Sequence, residues 1–450
     1  MEQFQGIVQN VSGFFWNFAL LFLLCGTGVY FTIRLRFVQV RRFGEGMRAV
    51  FGNIRLRGDK AGADGMSSFQ SLATAIAAQV GTGNIAGAAT AIVSGGPGAI
   101  FWMWVSAFFG MATIFSEATL AQTYKATVHG EVTGGPVYYI RAAFTGRFGR
   151  FLAAFFALAL IVALGFTGNM VQSNSISDAF ASAFGLPRIV TGIFVAAVAA
   201  FIFFGGKQRI ASFAEKIVPL MALLYVLGGL VVLAVNFRHL PGAFASIFIG
   251  AFRPQAVAGG VAGITMKSAV RYGVARGLFS NEAGMGSTPH AHALAKVEHP
   301  CEQGVVAMIG VFIDTFIVLT MTALVIVSTG ALSSGTTGAV LAQIAFDTVF
   351  GSAGNVFIAV CMLFFAFSTI VGWYFFGETN VKYLFGKKAV PVYAVLVIGF
   401  VLLGSLMKVS LVWDLSDLFN ALMVIPNLIA VLALSGVVVH AYREYGEKHK

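Results

Sequence analysis

The chain has few charged residues. Asp, Glu, Lys and Arg make up 10% of its 450 residues, whereas hydrophobic types make up 58%; a soluble domain is about 25% charged and about 45–50% apolar. So few charges cannot coat a water-exposed surface of this size. The composition excludes an ordinary soluble protein and predicts an all-α polytopic membrane protein whose outer surface faces lipid.

Cysteine and proline are also scarce. The three cysteines, Cys25, Cys301 and Cys361, are not spaced as metal ligands or a redox pair, and we interpret them as structural. The sequence contains no Walker-type phosphate loop and no credible Ser/His/Asp or Cys/His arrangement, so we expect neither an enzyme nor an organic cofactor. Glycine, in contrast, is abundant at 53 residues, and it allows membrane helices to approach closely and to break.

Eleven stretches are apolar over about 20 residues, the length that a helix needs to cross a bilayer. The stretch 241–267 contains Arg253 and Pro254 and is predicted to form short helices on the outer surface. The predicted spans are 14–33, 67–94, 98–122, 150–175, 188–205, 212–236, 268–297, 303–329, 353–377, 389–407 and 415–440.

Lys and Arg are concentrated in alternate loops. Segment 34–66 is strongly basic, whereas 95–97 and 329–352 contain neither residue type. Since basic loops remain in the cytoplasm, the N-terminus is predicted outside and the C-terminus inside a cell membrane, which we take to be a bacterial inner membrane. This topology explains the net charge of +11 without a nucleic-acid partner. The basic residues of 34–66 are Arg34, Arg36, Arg41, Arg42, Arg48, Arg55, Arg57 and Lys60.

Two predicted spans are interrupted by polar residues and glycine, Gly-Thr-Gly-Asn at 81–84 and Ser-Asn-Glu-Ala-Gly at 280–284. If the first span is peripheral, the remaining ten spans form two halves of five, and each interrupted span is the first of its half. Because each half has an odd number of spans, the two halves have opposite orientations in the membrane. Paired broken helices at matching positions indicate the binding site of a transporter. The predicted divisions are a peripheral helix with a basic cytoplasmic loop (1–66), a first repeat (67–236), an extracellular connection (237–267), a second repeat (268–440) and a cytoplasmic tail (441–450).

The first interruption can bind two kinds of ligand. Unwinding frees N–H groups at Gly81, Thr82 and Gly83, which can bind a carboxylate with help from the positive end of the following half-helix. It also frees carbonyl groups near Ala77 and Val80, whose oxygens suit a sodium ion. The alternative is close helix packing at small residues.

The second interruption contains an acidic residue, Glu282. A charge at this depth is costly and by default marks function. Glu282 could bind a substrate ammonium, stabilise unwound backbone or carry a coupling proton; a purely architectural role as a cap is the alternative. The small residues Ala283 and Gly284 would leave room for a compact side chain, and Asn84 is a possible coupling or structural residue.

A third group lies in the predicted ninth span. The hydroxyl groups of Ser368 and Thr369 can both bind one ion against the broken helix, or bond back to their own helix. Trp373 shares a helical face with Thr369 and could limit substrate size, or simply pack. Weaker candidates are Gln172 as a substrate contact, Glu117 and Asp314 as partners of a basic residue in an inner gate or as helix buttresses, and Arg271 and Arg276 as an outer gate.

Six stretches between about residues 67 and 380 form specific motifs. They are VGTGNIAGAATAI at 80–92, GGPGAIFWMW at 95–104, FSEATLAQTYK at 115–125, GGPVYYI at 134–140, RYGVARGLFSNEAGMGSTPHAHA at 271–293 and STIVGWYFFGE at 368–378. In these motifs the sequence resembles the alanine or glycine:cation symporter family. The resemblance implies a five-plus-five inverted-repeat, leucine-transporter-like core with broken helices 2 and 7, plus one extra N-terminal span.

The resemblance also implies site residues and an activity. It implies sodium-coupled symport of a small neutral amino acid such as alanine or glycine; the alternatives are proton coupling and a channel, which would not accumulate substrate. It implies that Thr82 and Gly83 receive the substrate carboxylate and that Gln79, Gln172, Ser280, Asn281, Thr369 and Trp373 surround the pocket. The implied sodium site consists of backbone at Ala77 and Val80 and the hydroxyls of Ser368 and Thr369.

Overall fold

A computed structural model describes residues 2–52, 65–128, 130–253 and 265–448. The helices are α1 Glu2–Phe14, α2 Leu20–Arg34, α3 Val38–Arg41, α4 Phe43–Phe51, α5 Ser68–Gln79, α6 Ala88–Gly95, α7 Ala99–Thr123, α8 Pro136–Ala143, α9 Gly146–Leu160, α10 Asn169–Phe184, α11 Arg188–Phe203, α12 Gly206–Val235, α13 Leu240–Phe252, α14 Met266–Asn281, α15 Pro289–His292, α16 Pro300–Val311, α17 Thr320–Ser328, α18 Gly338–Phe350, α19 Ser352–Phe385, α20 Val390–Leu406, α21 Val409–Ala433 and α22 Ser435–Lys448.

Short irregular elements connect several of these helices. The described strands are β1 Ala126–Val128 and β2 Glu131–Thr133, which pair antiparallel. The π-helical segments are Phe15–Ala19, Gly83–Gly87, Ile161–Gly168 and Phe312–Leu319, and the 3-10 turns are Phe237–His239, Ala331–Ser334 and Lys387–Ala389.

The described helices confirm an all-α, multi-pass membrane protein. Seven are long and apolar enough to cross a membrane, and α5 with Gly83–Gly95 forms an eighth such unit, bent by 45°. Large apolar side chains such as Phe201, Leu223 and Val395 remain exposed on their outer surfaces, as expected beside lipid. The seven are Ala99–Thr123, Gly146–Phe184, Gly206–Val235, Pro300–Ser328, Ser352–Phe385, Lys387–Leu406 and Val409–Ala433.

The other three predicted spans differ from simple membrane helices. The predicted spans 14–33 and 188–205 correspond to the shorter apolar helices α2 and α11. The predicted span 268–297 consists of α14, an unwound segment and the four-residue α15. The total of eleven spans therefore stays a prediction.

Several predicted loops are partly helical. The segment 329–352, predicted as a loop, contains the helix α18, which is shorter than a membrane span and so escaped the search for long apolar runs. Gln343 fixes this helix by donating to the carbonyls of Ala179 at 2.9 Å and Asn355 at 3.2 Å. Segment 241–267 contains α13 as expected, with 254–264 outside the described residues.

The terminal regions contain helices that the sequence reading left out. The N-terminal helix begins at Glu2 rather than near residue 14, and the predicted tail 441–450 is helical through Lys448 within α22. The basic segment 34–66 contains α3 and α4. Its residues Arg55, Arg57 and Lys60 lie outside the described part of the chain.

The N-terminal helices attach to α21 through polar contacts. Gln5 and Gln9 both donate to Asp414 Oδ2 at 2.9 Å, and the Trp16 indole donates to the Asp417 carbonyl at 3.0 Å. The N-terminal part of the chain is therefore tied to α21 by hydrogen bonds as well as by apolar packing.

The β-hairpin connects two loops that are distant in sequence. Glu131 accepts from the ammonium groups of Lys207 at 2.6 Å and Lys387 at 2.8 Å. These two hydrogen bonds lower the pKa of Glu131 to about 2. One carboxylate thus links the first turn of α12 with the 3-10 turn before α20.

The two helices that lead into the interruptions begin in the same way. At α5 the Ser67 hydroxyl accepts from the Gln70 N–H at 3.1 Å, and the Gln70 side chain accepts from the Ser67 N–H at 3.2 Å. Thr265 and Ser268 form the corresponding pair at α14. A capping box satisfies N–H groups that the first helical turn leaves free. Hydrogen bonds between neighbouring residues therefore determine where α5 and α14 begin.

Close packing at Gly98 gives a stability test. A methyl group at this position would overlap the backbone of Gly250 and Ala251 in α13, so we expect Gly98→Ala to cost about 1–3 kcal/mol and to lower Tm in detergent. Gly399→Ala is the control, because no described atom lies within 4 Å of its added methyl group and alanine favours helix. Equal Tm losses in both variants would contradict the close packing.

Candidate functional site

The first interruption separates α5 from the π-helical turn that begins at Gly83. Val80 ends α5 with extended backbone at φ −81° and ψ 90°, and the released N–H groups find side-chain acceptors. The Gly81 N–H donates to Asn84 Oδ1 at 2.9 Å, and the Thr82 N–H donates to Gln172 Oε1 at 3.1 Å. A side chain at position 81 would overlap the Thr369 hydroxyl, so this position requires glycine.

The second interruption follows α14 and is held by a carboxylate from α7. The backbone takes positive φ at Glu282, at 58°, and again at Gly284 and Gly286. Glu117 accepts the N–H groups of Gly284 at 2.9 Å and Gly286 at 3.0 Å, and the Asn427 amide at 2.6 Å. Because lipid cannot bond these groups, Glu117 serves as their internal acceptor. The sequence left two roles open for Glu117, partner of a basic residue in an inner gate or helix buttress, and its hydrogen bonds to α21 and to the unwound segment agree with the second.

Glu282 links the second interruption to α19. Its carboxylate accepts from the Ser287 hydroxyl and from the Trp373 indole N–H, the latter at 2.5 Å. The residue is fully buried. Both donors are neutral groups of the protein, and the two contacts join the unwound segment to the Trp373 indole.

The two interruptions touch each other. The Gln79 amide donates to the Asn281 carbonyl at 2.8 Å. Gly83 lies against Ser280 so closely that a methyl group there would be 2.9 Å from Ser280 Cα. Asn281 also donates to the Thr315 hydroxyl at 3.2 Å. The Gly-Thr-Gly-Asn and Ser-Asn-Glu-Ala-Gly motifs, far apart in sequence, thus form one polar centre.

Asp314 joins both interruptions, although sequence reasoning considered it only as a gate partner or buttress. Asn84 Nδ2 donates to its Oδ1 at 2.6 Å, and the Ser280 hydroxyl lies 2.9 Å and 3.1 Å from its two oxygens. The carboxylate is fully buried. An acidic residue inside an apolar span was the available signal, but its partners come from tertiary structure.

The hydroxyl groups of α19 face the end of α5. The Ala77 carbonyl lies 3.2 Å from Ser368 Oγ and 3.1 Å from Thr369 Oγ1. Thr369 Oγ1 is also 3.2 Å from the Ala78 carbonyl, an oxygen that the sequence reading did not include. Three of the four expected sodium ligands therefore meet, and the fourth, Val80, is the residue at which the helix unwinds.

Aromatic side chains lie beside this polar centre. Phe279 packs edge-to-face on Trp373, with ring centroids 5.4 Å apart, and contacts Trp413 at 4.7 Å. Arg276 lies 4.3 Å from the Trp413 ring and binds both oxygens of Asp417 at 2.5 Å and 3.0 Å. Of the two arginines considered for an outer gate, Arg276 is thus the one with a carboxylate partner on α21, while Arg271 stacks on its neighbour Tyr272.

Ala283 and Gly284 pack against neighbouring helices. A methyl group on Gly110 of α7 would be 2.9 Å from Ala283 Cβ, and one on Gly284 would meet Leu24 and Leu428. Of the other predicted substrate contacts, Ala283 lies beside Asn281, whose side-chain oxygen accepts the Ala283 N–H at 3.1 Å, whereas Gly284 is directed toward α2 and α21. A positive φ of 92° at Gly284 turns the chain toward α7, which spacing alone could not reveal.

Two amide groups in this region retain unused hydrogen-bonding capacity. Gln79 Oε1 and Gln172 Nε2 are buried and have no hydrogen-bond partner among the described residues. Buried polar atoms normally find partners. A zwitterionic ligand requires an acceptor for its ammonium group and a donor for its carboxylate, and these two free atoms are one of each.

Comparison with known proteins identifies the family. A family model described as "Sodium:alanine symporter family" matches residues 1–450. The chain belongs to the sodium:alanine symporter family. It is therefore a transporter and not an enzyme.

Curated relatives agree with this assignment, and a solved structure shares the fold. The chain is 42% identical to the sodium/alanine symporter AgcS of Methanococcus maripaludis over 99% of this chain and 98% of that one. It is 38% identical to the putative sodium/proton-dependent alanine carrier protein YrbD of Bacillus subtilis, covering 98% and 93%. The manganese transporter of Eremococcus coleocola has a similar fold, with a TM-score of 0.53 and 13% identity over 81% of this chain and 78% of that one.

The indole of Trp373 provides a test of the Glu282 contact. Trp373→Phe keeps a ring against Phe279 but removes a donor from a buried carboxylate, so we expect a loss of about 1–3 kcal/mol and a lower Tm. Trp104→Phe is the matched control, since that indole donates to the neutral Thr320 hydroxyl at 2.8 Å. If W373F retained the wild-type Tm, Glu282 would not depend on this bond.

Proposed function

We propose that this transporter imports a small neutral amino acid, alanine and/or glycine, together with sodium by alternating access. One observation carries the proposal: the Ala77 carbonyl and the hydroxyls of Ser368 and Thr369 converge at the broken helix. The carboxylate-binding N–H of Thr82 lies in the same break. An oxygen-lined ion site and an anion site thus share one unwound turn.

Sodium binding would connect the two helices that form this site. The ion takes oxygen ligands from the end of α5 and from α19, and Ala77, Ser368 and Thr369 supply three of them, with Val80 adjacent. Its charge stabilises the freed carbonyl groups in the low-dielectric interior. Occupation would order the unwound turn and so prepare the N–H groups that follow it.

The amino acid would bind with its carboxylate on the N–H groups of Thr82 and Gly83. In this position it replaces Gln172 Oε1, which now accepts the Thr82 N–H at 3.1 Å, and frees that amide to contact the ligand. The unpaired Gln79 Oε1 can accept from the ammonium. Trp373, held by Glu282, would confine the side chain, which favours small substrates. Ser280, Asn281 and Thr369 complete the proposed pocket.

The membrane arrangement is part of the proposal. The basic segment 34–66 supports an N-terminus outside and a C-terminus inside the cell membrane, here a bacterial inner membrane. Five-plus-five inverted repeats over 67–236 and 268–440 would then rock about the paired interruptions. Sodium entering with the membrane potential gains about 2.3 kcal/mol per 100 mV, which drives accumulation.

Uptake of labelled alanine into proteoliposomes tests sodium coupling. We expect accumulation only with an inward sodium gradient. Thr369→Val removes an ion ligand, so it should raise the half-saturating sodium concentration at least about tenfold, which corresponds to a loss of about 1.4 kcal/mol in the free energy of sodium binding. Thr329→Val is the control, since that hydroxyl bonds back to Val325 and Ile326 of its own helix. Uptake that ignored sodium would contradict the proposed ion, and equilibration without accumulation would indicate a channel.

Proton coupling is the second candidate, because Glu282 is a buried carboxylate in the second interruption and one relative is named as sodium/proton-dependent. For sodium coupling we expect Glu282→Gln to retain sodium-driven accumulation, although it loses an acceptor. Ser287→Ala is the matched variant, because it removes one bond to Glu282 but keeps the carboxyl group. Proton coupling would be favoured if a proton gradient drove uptake by the wild type and if E282Q, but not S287A, lost that uptake.

A further inference from the structure

A cavity of about 580 Å³ lies beside the β-hairpin. It is surrounded by the hairpin, the first turn of α12, the last turns of α19 and the 3-10 turn before α20. Its volume is in the range of small-molecule sites, about 300–1,000 Å³. None of the residues of the proposed amino-acid and sodium sites lines it, so it is a separate cavity.

The charged lining of this cavity is mostly lysine. Glu131 accepts from Lys207 at 2.6 Å and from Lys387 at 2.8 Å, and Lys382 adds an electrostatic attraction to the same carboxylate. Three ammonium groups therefore act on one carboxylate. The lysines that line the cavity are Lys207, Lys382, Lys387 and Lys388.

The positive charges of this lining outnumber the carboxylates that pair with them. Glu131 is shared by two of the lysines, and Lys382 pairs with Glu378. Lys388 has no ion-pair partner within the part of the chain that the structure describes. Four ammonium groups thus meet two carboxylates, which leaves two positive charges uncompensated at the cavity.

The cavity has a wall that would hold a ligand among these lysines. Tyr138 and Tyr383 both line it and pack edge-to-face, with ring centroids 6.0 Å apart. The ammonium group of lysine binds phosphate as a point charge. A phosphate monoester carries about −1.5 to −2 charges and three acceptor oxygens, which matches two uncompensated positive charges better than a single carboxylate does.

We propose that this cavity binds a phosphate group through Lys207, Lys387 and Lys388. The proposed topology places the cavity on the cytoplasmic side, where soluble phosphate compounds are one source of the group. Headgroups of anionic lipids are the other, because they bind basic pockets at this face of a membrane. The exposed ring of Phe385, at the end of α19, offers a contact to a lipid chain.

The phosphate group would compete with Glu131 for the same ammonium groups. Glu131 is the residue through which the hairpin holds the first turn of α12 and the turn before α20. Occupancy of the cavity would therefore loosen the link between these two elements. The site needs neither the coupling ion nor the amino acid, so its occupancy can be measured without transport.

Thermal unfolding of the purified full-length protein with increasing inorganic phosphate tests the site, because a ligand of the native state raises Tm. Potassium chloride at equal ionic strength is the reference for screening. We expect Lys388→Gln to raise the apparent Kd of phosphate about threefold, the size of one partly exposed charge contact, while both Glu131 bonds stay in place. Lys216→Gln is the matched control, because this exposed lysine of α12 does not line the cavity.

Glu131→Gln distinguishes phosphate binding from a purely structural role of these contacts. It removes the competing carboxylate, so the apparent Kd of phosphate should fall about threefold, although the variant without ligand starts from a lower Tm because two ion pairs are lost. A purely structural role predicts the lower starting Tm without any tighter phosphate binding. If E131Q is not monodisperse, K388Q carries the test.

Phosphatidylglycerol added to the same micelles, with zwitterionic phosphatidylcholine as reference, distinguishes the two sources. A Tm rise with phosphatidylglycerol alone that K388Q reduces assigns the site to a lipid headgroup, whereas a rise with inorganic phosphate assigns it to soluble phosphate. No rise with either probe overturns the site, and so does a rise that K388Q leaves unchanged or that K388Q and K216Q reduce equally. Sodium-driven alanine uptake is a separate measurement, so failure of the site leaves the proposed function standing.

Discussion

Backbone groups released inside a membrane must be bonded by the protein itself, because lipid offers no partner. Each interruption meets this requirement with side chains from other helices. Gln172 accepts the Thr82 N–H, and Glu117 accepts those of Gly284 and Gly286. Without these acceptors the breaks would be strongly unfavourable. The polar residues scattered through otherwise apolar helices are therefore a consequence of the two breaks.

The same requirement is central to the proposed binding of ion and substrate at the breaks. Released carbonyl and N–H groups can exchange a side-chain partner for an ion or a carboxylate without leaving any group unbonded. The Ser368 and Thr369 hydroxyls, which now bond backbone oxygens, are positioned for such an exchange. Helix geometry, buried polarity and the proposed transport thus depend on one set of hydrogen bonds.

Much of this arrangement could be predicted from local sequence, and the remainder depends on tertiary contacts. The length of the apolar runs predicted most of the membrane helices, and clusters of glycine and polar residues inside those runs predicted where two helices unwind. The direction of Ala283 was not predictable, because positive φ at Glu282 and Gly284 redirects the chain toward α7. The position of Asp314 beside both motifs arises from helix packing, and α18 was missed because it is too short for a span.

The bond between Gln172 and the Thr82 N–H has a consequence for the part of a transport cycle in which no cargo is carried. A carrier must reorient empty as often as it reorients loaded, and an unsatisfied backbone donor would hinder that return. In the proposed binding mode, the Gln172 side-chain oxygen occupies the place on the Thr82 N–H that the substrate carboxylate takes when it binds. Under this proposal, substrate binding first breaks the bond between Gln172 and Thr82, which lowers affinity, while the empty protein keeps every released N–H group bonded and can reorient faster.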